Sequence, residues 1–218
     1  MSTPRHRRHR GPDVAGPRDG GFTLVELLVA MSLFGLLCAL VMGVVVGMSR
    51  ETVTAQNSAD NATDLRRVYT LLDRQVRGAQ ALNPATAAGG RWYLEMRLSP
   101  SAAGGTTSCA QWRLAADGTL AYRTFASSAT AAVAAAAPWT AVATDLEVPG
   151  SGDAPPFLMR PADTVHGSQR LEVRLTAQRG TTRSAGLETT LVARGTTSST
   201  STNAMTTASQ TCTQGGRP

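Results

Sequence analysis

From Phe22 to Ser49 the chain runs for 28 residues with one charged side chain, Glu26. As a helix rising about 1.5 Å per residue, such a run reaches roughly 42 Å, more than the roughly 30 Å of a bilayer core. It can span a membrane and protrude from it. Glu26 is the anomaly, because an ionised carboxylate at that depth costs roughly 2.5 to 3.5 kcal/mol even on the lenient insertion scale and therefore calls for a partner.

The residues around that carboxylate form an ordered pattern: a basic leader ending in Gly21, then Phe22, Thr23, the apolar pair Leu24 and Val25, and Glu26, leading into an apolar helix. The pattern resembles the cleavage and methylation segment of type IV prepilins and of the pseudopilins of type II secretion. The resemblance implies cleavage after Gly21 by a prepilin peptidase and methylation of the new N-terminus at Phe22. It also implies that Glu26 meets the N-terminal amine of a neighbouring subunit, where carboxylate and ammonium neutralise each other out of water. Other pilins or pseudopilins, membrane lipid and a membrane assembly platform are the implied partners. The cytoplasmic membrane is the implied location, with the C-terminal domain outside the cytoplasm and a cell-surface filament after assembly. The plainer alternative is a single-span anchored binding or adhesion protein.

Charge supports this division of the chain. The net +6 comes from 21 arginines against 15 acids, with no lysine, and five of those arginines (Arg5, Arg7, Arg8, Arg10, Arg18) and two acids (Asp13, Asp19) precede Phe22. The basic run reads as a leader held on the cytoplasmic side, not as a nucleic-acid site.

Four segments follow: a leader over 1–21, a helix over 22–82 that is transmembrane over about 22–49, a β-rich domain over 83–194, and a tail over 195–218. After Arg50 the helix turns amphipathic, with Leu65, Val68, Leu72, Val76 and Ala79 three and four apart. Asn83 and Pro84 are expected to stop it. Gly35, Gly43 and Gly47 suit close helix packing, although glycine is also simply tolerated in membrane helices. No proline falls between Phe22 and Pro84, whereas many major pilins place one there, so the resemblance favours a minor subunit or pseudopilin.

In the domain, Arg91–Leu98 alternates, with Trp92, Leu94, Met96 and Leu98 on one face and Tyr93, Glu95 and Arg97 on the other, as a half-buried strand does. Gln111–Phe125 reads as a hairpin about Asp117 and Gly118, both at positive φ. Residues 126–137 read as loop or short helix, and Trp139–Val148, Arg170–Gln178 and Gly186–Arg194 as further strands with a loop over 179–186. The prolines of 148–166 suggest a long surface loop. One helix followed by an antiparallel meander makes an α+β fold, pilin-like by the resemblance.

The tail is half Ser and Thr, 12 of 24 residues, and reads as flexible or glycosylated. Cys109 and Cys212 are candidates for a disulfide if the domain faces an oxidising exterior, and Cys38 is a small packing residue in the apolar helix. The Asn61-Ala62-Thr63 triplet fits a glycosylation pattern but falls on the expected helix. Catalytic signals are sparse. The segment after Gly21 has one histidine, His166, and lacks a phosphate loop, a GxSxG elbow or a CxxC pair. A membrane-tethered enzyme would need His166 buried beside a serine and a carboxylate. Asp145, Glu147, Asp153 and Asp163 read as solvated acids rather than a calcium site, and no cofactor is expected.

Overall fold

A computed structural model describes residues 21–150, 152–179 and 182–217, with the side chains of Ala103 and of 182–184 excluded. The leader over 1–20, on which the charge argument rests, lies outside the described residues. The chain divides into two compact units, residues 1–51 and 52–218.

The first unit holds the apolar part of helix α1 (Leu24–Arg77). Every large apolar side chain from Phe22 to Met48 is at least 49% exposed, and α1 is the one helix among the described residues long and apolar enough to cross a membrane.

In the second unit the remainder of α1 is buried on one stripe, Leu65, Val68, Leu72 and Val76. Each such side chain contributes about 1.5 to 3 kcal/mol of transfer free energy. The stripe shares a core with two antiparallel sheets. One contains β1 (Ala79–Leu82), β2 (Thr86–Ala88), β3 (Arg91–Leu98), β4 (Ser108–Leu114), β5 (Leu120–Ala126) and β6 (Thr140–Ala143), in the order β1-β3-β4-β5-β6 with β2 also on β3. The other contains β7 (Phe157–Arg160), β8 (Arg170–Arg179) and β9 (Thr182–Val192). Leu94, Met96, Trp112 and Leu114 from the first sheet and Phe157, Met159, Leu171 and Val173 from the second join the helix stripe. Trp112 completes the seam by donating its indole N–H to Gln75 Oε1 at 2.7 Å. The short helices α2 (Pro100–Ala103) and α3 (Ala131–Ala136) lie between strands. The result is an α+β fold of the pilin-like kind, a long N-terminal helix packed on antiparallel sheets.

Several expectations need correction. The helix ends at Arg77 rather than Leu82, and Ala79–Leu82 is strand β1. Gly78 follows the last helical residue, five before Asn83, and a Cβ there would fall on that of Ala102, so this close approach requires glycine. The β4–β5 hairpin forms, but only Gly118 has positive φ, at 79°. Its N–H bonds Ala115 O at 3.0 Å, and the Leu146 N–H bonds the Gly118 carbonyl at 3.0 Å. A Cβ there would meet that Leu146 backbone. The loop expected over 148–166 contains β7, with Phe157 and Met159 buried, and the closing hairpin is longer than expected because β9 starts at Thr182. Asn61 is 1% exposed on α1 and out of reach of a glycosylating enzyme.

The largest correction concerns the tail. Residues 195–217 are not free chain but three short 3-10 turns, Ser201–Ala204, Thr207–Ser209 and Thr213–Gly215, laid on the domain. They hold on through polar side chains rather than apolar bulk, a contribution that composition does not register. Gln169 anchors the first part: its N–H bonds Thr196 Oγ1 at 2.8 Å, its amide NH2 bonds Thr202 Oγ1 at 2.9 Å, and its carbonyl oxygen accepts from Leu82 N at 3.0 Å.

Candidate functional site

At the N-terminal end of α1 the geometry follows from one four-residue spacing. Thr23 Oγ1 accepts the Glu26 N–H at 3.2 Å and the Thr23 carbonyl accepts from Leu27 N at 3.2 Å. Thr23 is thus the N-cap, Leu24 opens the helix and Glu26 is its third residue. A threonine at the cap with a glutamate three residues on is the signature of a capping box. The spacing is plain in the sequence and was missed there. A carboxylate in the first turn also faces the positive end of the helix dipole. Glu26 therefore has a local reason for its place within one chain, in addition to any partner in another. Gly21 and Phe22 precede the helix outside regular secondary structure, Phe22 is 83% exposed, and a Cβ at Gly21 would meet nothing within 4 Å. Among the described residues nothing crowds the bond between them.

A second site was not anticipated. On the face of β3, β4 and β5 turned away from α1, Glu95, Gln111 and Arg123 stand opposite one another in register, all at most 2% exposed. Gln111 donates to Glu95 Oε1 at 3.0 Å and accepts from Arg123 Nε at 2.8 Å. Arg217, at the far end of the tail, closes the row with Nε to Glu95 Oε1 at 2.9 Å and Nη2 to Oε2 at 2.7 Å. That fork geometry is the strong form of an arginine–carboxylate pair, and the hydrogen bond holds the Arg217 guanidinium above its ordinary pKa. Arg123 is pushed below its ordinary value, first by burial and then by Arg113. Arg123 donates to the carbonyls of Ala135, Gly215 and Gly216, and both Arg113 and Arg123 stack on Trp139, at 4.3 and 4.4 Å from the ring centre. Asn83, expected as a helix stop, instead bonds Glu95 Oε2 at 2.9 Å and clamps both backbone groups of Thr211.

Beside this row Cys109 on β4 and Cys212 in the tail form a disulfide with Cα atoms 5.4 Å apart across 103 residues. Cys38 is a free, exposed cysteine. The alternation of β3 was legible, but its second face is buried: Tyr93 and Glu95 are each 1% exposed. A glutamate, a glutamine and an arginine at matching strand positions are the signal that could have revealed this, yet the register that aligns them appears only once the strands are paired.

The remaining candidates are scattered. His166 is half-exposed, with Nδ1 3.3 Å from Asp163 Oδ1. Asp163 also accepts the backbone N–H groups of Val165 and His166, which hold its carboxyl below the usual range. Asp145 pairs with Arg179 at 3.0 Å, and Asp153 accepts from Gly150 N at 2.8 Å. These three acids serve separate local partners, and no metal-binding cluster occurs among the described residues.

Residues 16–42 match a family model described as the prokaryotic N-terminal methylation motif. The match covers the leader end, Gly21, Phe22, Glu26 and the apolar stretch as far as Met42. Comparisons with curated proteins and with solved structures found no match.

Proposed function

We propose that this chain, whose methylation motif supports a type IV pilin or pseudopilin precursor, is a minor pilin or pseudopilin, a structural subunit that initiates or caps a filament. The motif implies processing by a prepilin peptidase and assembly with other pilins. The observation that carries the reading is the coincidence of motif and helix: Gly21 and Phe22 lie exposed, outside regular secondary structure, directly ahead of a 54-residue helix whose apolar half is exposed among the described residues. Lipid covers that half before assembly and other subunits cover it afterwards.

On this reading the peptidase cuts between Gly21 and Phe22, and the new amine at Phe22 is methylated. The subunit then waits in the cytoplasmic membrane with its C-terminal domain outside until a membrane platform extracts it. Glu26 supplies the charge that registers one helix against the next, because in a low-dielectric filament core a carboxylate is tolerated only beside a cation. The absence of any proline from α1 favours a minor subunit. Mass measurement of the chain extracted from membranes should give an N-terminus at methylated Phe22, and an intact Met1 or a cut beyond Met48 would defeat the reading. Glu26→Gln should leave insertion unchanged and reduce incorporation into filaments, since a neutral amide keeps the size and loses the charge. Filament incorporation at the parental level would remove Glu26 from the assembly role.

A further inference from the structure

Beside the core stripe of α1, on the flank that carries Leu71, Arg74 and Gln75, lies a cleft of about 320 Å³ between the helix and the first sheet. The sheet contributes Ser108 of β4, Tyr122 and Thr124 of β5 and, as apolar surface, Leu98 of β3. Its volume falls at the lower end of the roughly 300 to 1,000 Å³ of small-molecule sites. Two of the polar side chains are fixed by one buried residue. Tyr122 stacks on Trp112 with ring centres 5.1 Å apart, and Gln75 gives its carbonyl oxygen to the Trp112 indole N–H at 2.7 Å. The Gln75 NH2 and the hydroxyls of Tyr122 and Thr124 have no hydrogen-bond partner among the described residues, and all three remain open to solvent. Ser108 donates to Thr106 O at 3.3 Å and keeps its lone pairs to accept. Arg74, which is exposed, is the one charged residue of the lining.

The chemistry of the lining narrows the ligand. A lipid chain calls for a continuous apolar wall, which the hydroxyls interrupt, and a phosphate calls for several cations, where the lining holds one. A pyranose has the matching character: each of its hydroxyls both donates and accepts, as those of Ser108, Tyr122 and Thr124 do, while its C–H face is apolar and can lie on an aromatic ring. We propose that the cleft between α1 and β5 is a saccharide-binding site, with Tyr122 as the aromatic platform, Gln75 and Thr124 as partners for sugar hydroxyls and Arg74 as an exposed charged donor. Because Trp112 holds both the ring and the amide before any ligand arrives, little ordering is left for binding to bring about. The site lies within residues 71–124 and so stands apart from processing at Gly21.

The test uses the full chain, disulfide intact, in micelles of a zwitterionic detergent without sugar headgroups, labelled with nitrogen-15 at tryptophan and titrated with maltose and, separately, N,N′-diacetylchitobiose. The three tryptophans give three indole N–H signals in the NMR spectrum. That of Trp112, whose proton meets Gln75, should shift saturably with at least one disaccharide, while those of Trp92 and Trp139, which do not line the cleft, should stay in place and report that each variant is folded. Tyr122→Phe, which keeps the ring, and Thr124→Val, which keeps the shape, should each weaken binding about two- to tenfold, the expected loss for a neutral hydrogen bond. Tyr122→Leu, which removes the platform, should abolish it, and Thr190→Val on the other sheet should leave it unchanged. Absence of a saturable Trp112 shift with both disaccharides, or parental binding by folded Tyr122→Leu and Thr124→Val chains, would overturn the proposal. So would an equal shift with the same concentration of glycerol or inorganic phosphate, since neither carries a pyranose ring.

Discussion

Replacing Arg217 by methionine isolates the contact on which the tail depends. The substitution keeps much of the aliphatic stem and removes the fork that meets Glu95 at 2.9 and 2.7 Å. The Glu95 side chain is 1% exposed and that of Arg217 23%, so the carboxylate would be left in place without its cation. Removing one member of a buried pair costs about 3 to 5 kcal/mol. Asn83 and Gln111 still donate to Glu95, and the partly exposed arginine site admits some water, which lowers the expected loss to about 2 to 3 kcal/mol. For a unit spanning 52–218, that corresponds to a fall in Tm of about 5 to 10 °C. Thermal unfolding of the full chain followed by circular dichroism, disulfide intact, measures it. The double variant Glu95→Gln with Arg217→Met should recover a large part of the loss, since no charge then remains buried alone. If Arg217→Met melts with the parent, or if the double variant loses as much as the two single losses added, Glu95 and Arg217 are not coupled and the tail does not depend on their contact.

Loss of the Cys109–Cys212 bridge in a Cys109→Ser, Cys212→Ser chain should lower stability by up to about 5 kcal/mol for a loop of this length on the chain-entropy model, read as a lower denaturant midpoint. It should also make the tail the first segment cut by protease, and a tail as resistant as before would mean that the polar contacts suffice without the bridge. Asp163 gives a dependence on pH. Its carboxyl is held below its ordinary value chiefly by the His166 and Val165 backbone N–H groups, so its contribution is present above the unfolded pKa and fades as pH falls through the folded one. Asp163→Asn should flatten that part of the acid limb of stability against pH, and an acid limb identical to the parent's would contradict it.

What the sequence disclosed and what it hid divide along a physical line. The apolar run, the Gly21 to Glu26 pattern and the alternation of β3 are local, set by composition and by spacings of one to four residues, and they could be read directly. The end of α1 was misjudged because proline at 84 is a conspicuous stop, whereas the pairing of Ala79–Leu82 with β3 and the close approach of Ala102 to Gly78 exist only after folding. The tail was misjudged for a related reason. Ser, Thr and Gln bury little apolar area, yet Gln169, Thr196 and Thr202 satisfy one another at 2.8 and 2.9 Å, and such complementarity leaves no periodic trace. Glu95 looked like a solvent-facing residue of a half-buried strand because nothing near it in the chain foretells Arg217.

Glu95 and Arg217 are 122 residues apart, and Asn83 and Thr211 are 128 apart. Contacts of such high contact order require the entropy of closing a long loop before they return any stabilisation, so they form late. Until they do, the β3–β5 face carries a glutamate and arginines in an unfinished setting, soluble and poorly suited to collapse on itself. The polar row thus keeps a nascent sheet from sticking while its cover is still being made, and then becomes the site where that cover fastens. An apolar face would have held the tail as firmly, but it would have left the incomplete domain prone to aggregation at the stage when it is least protected.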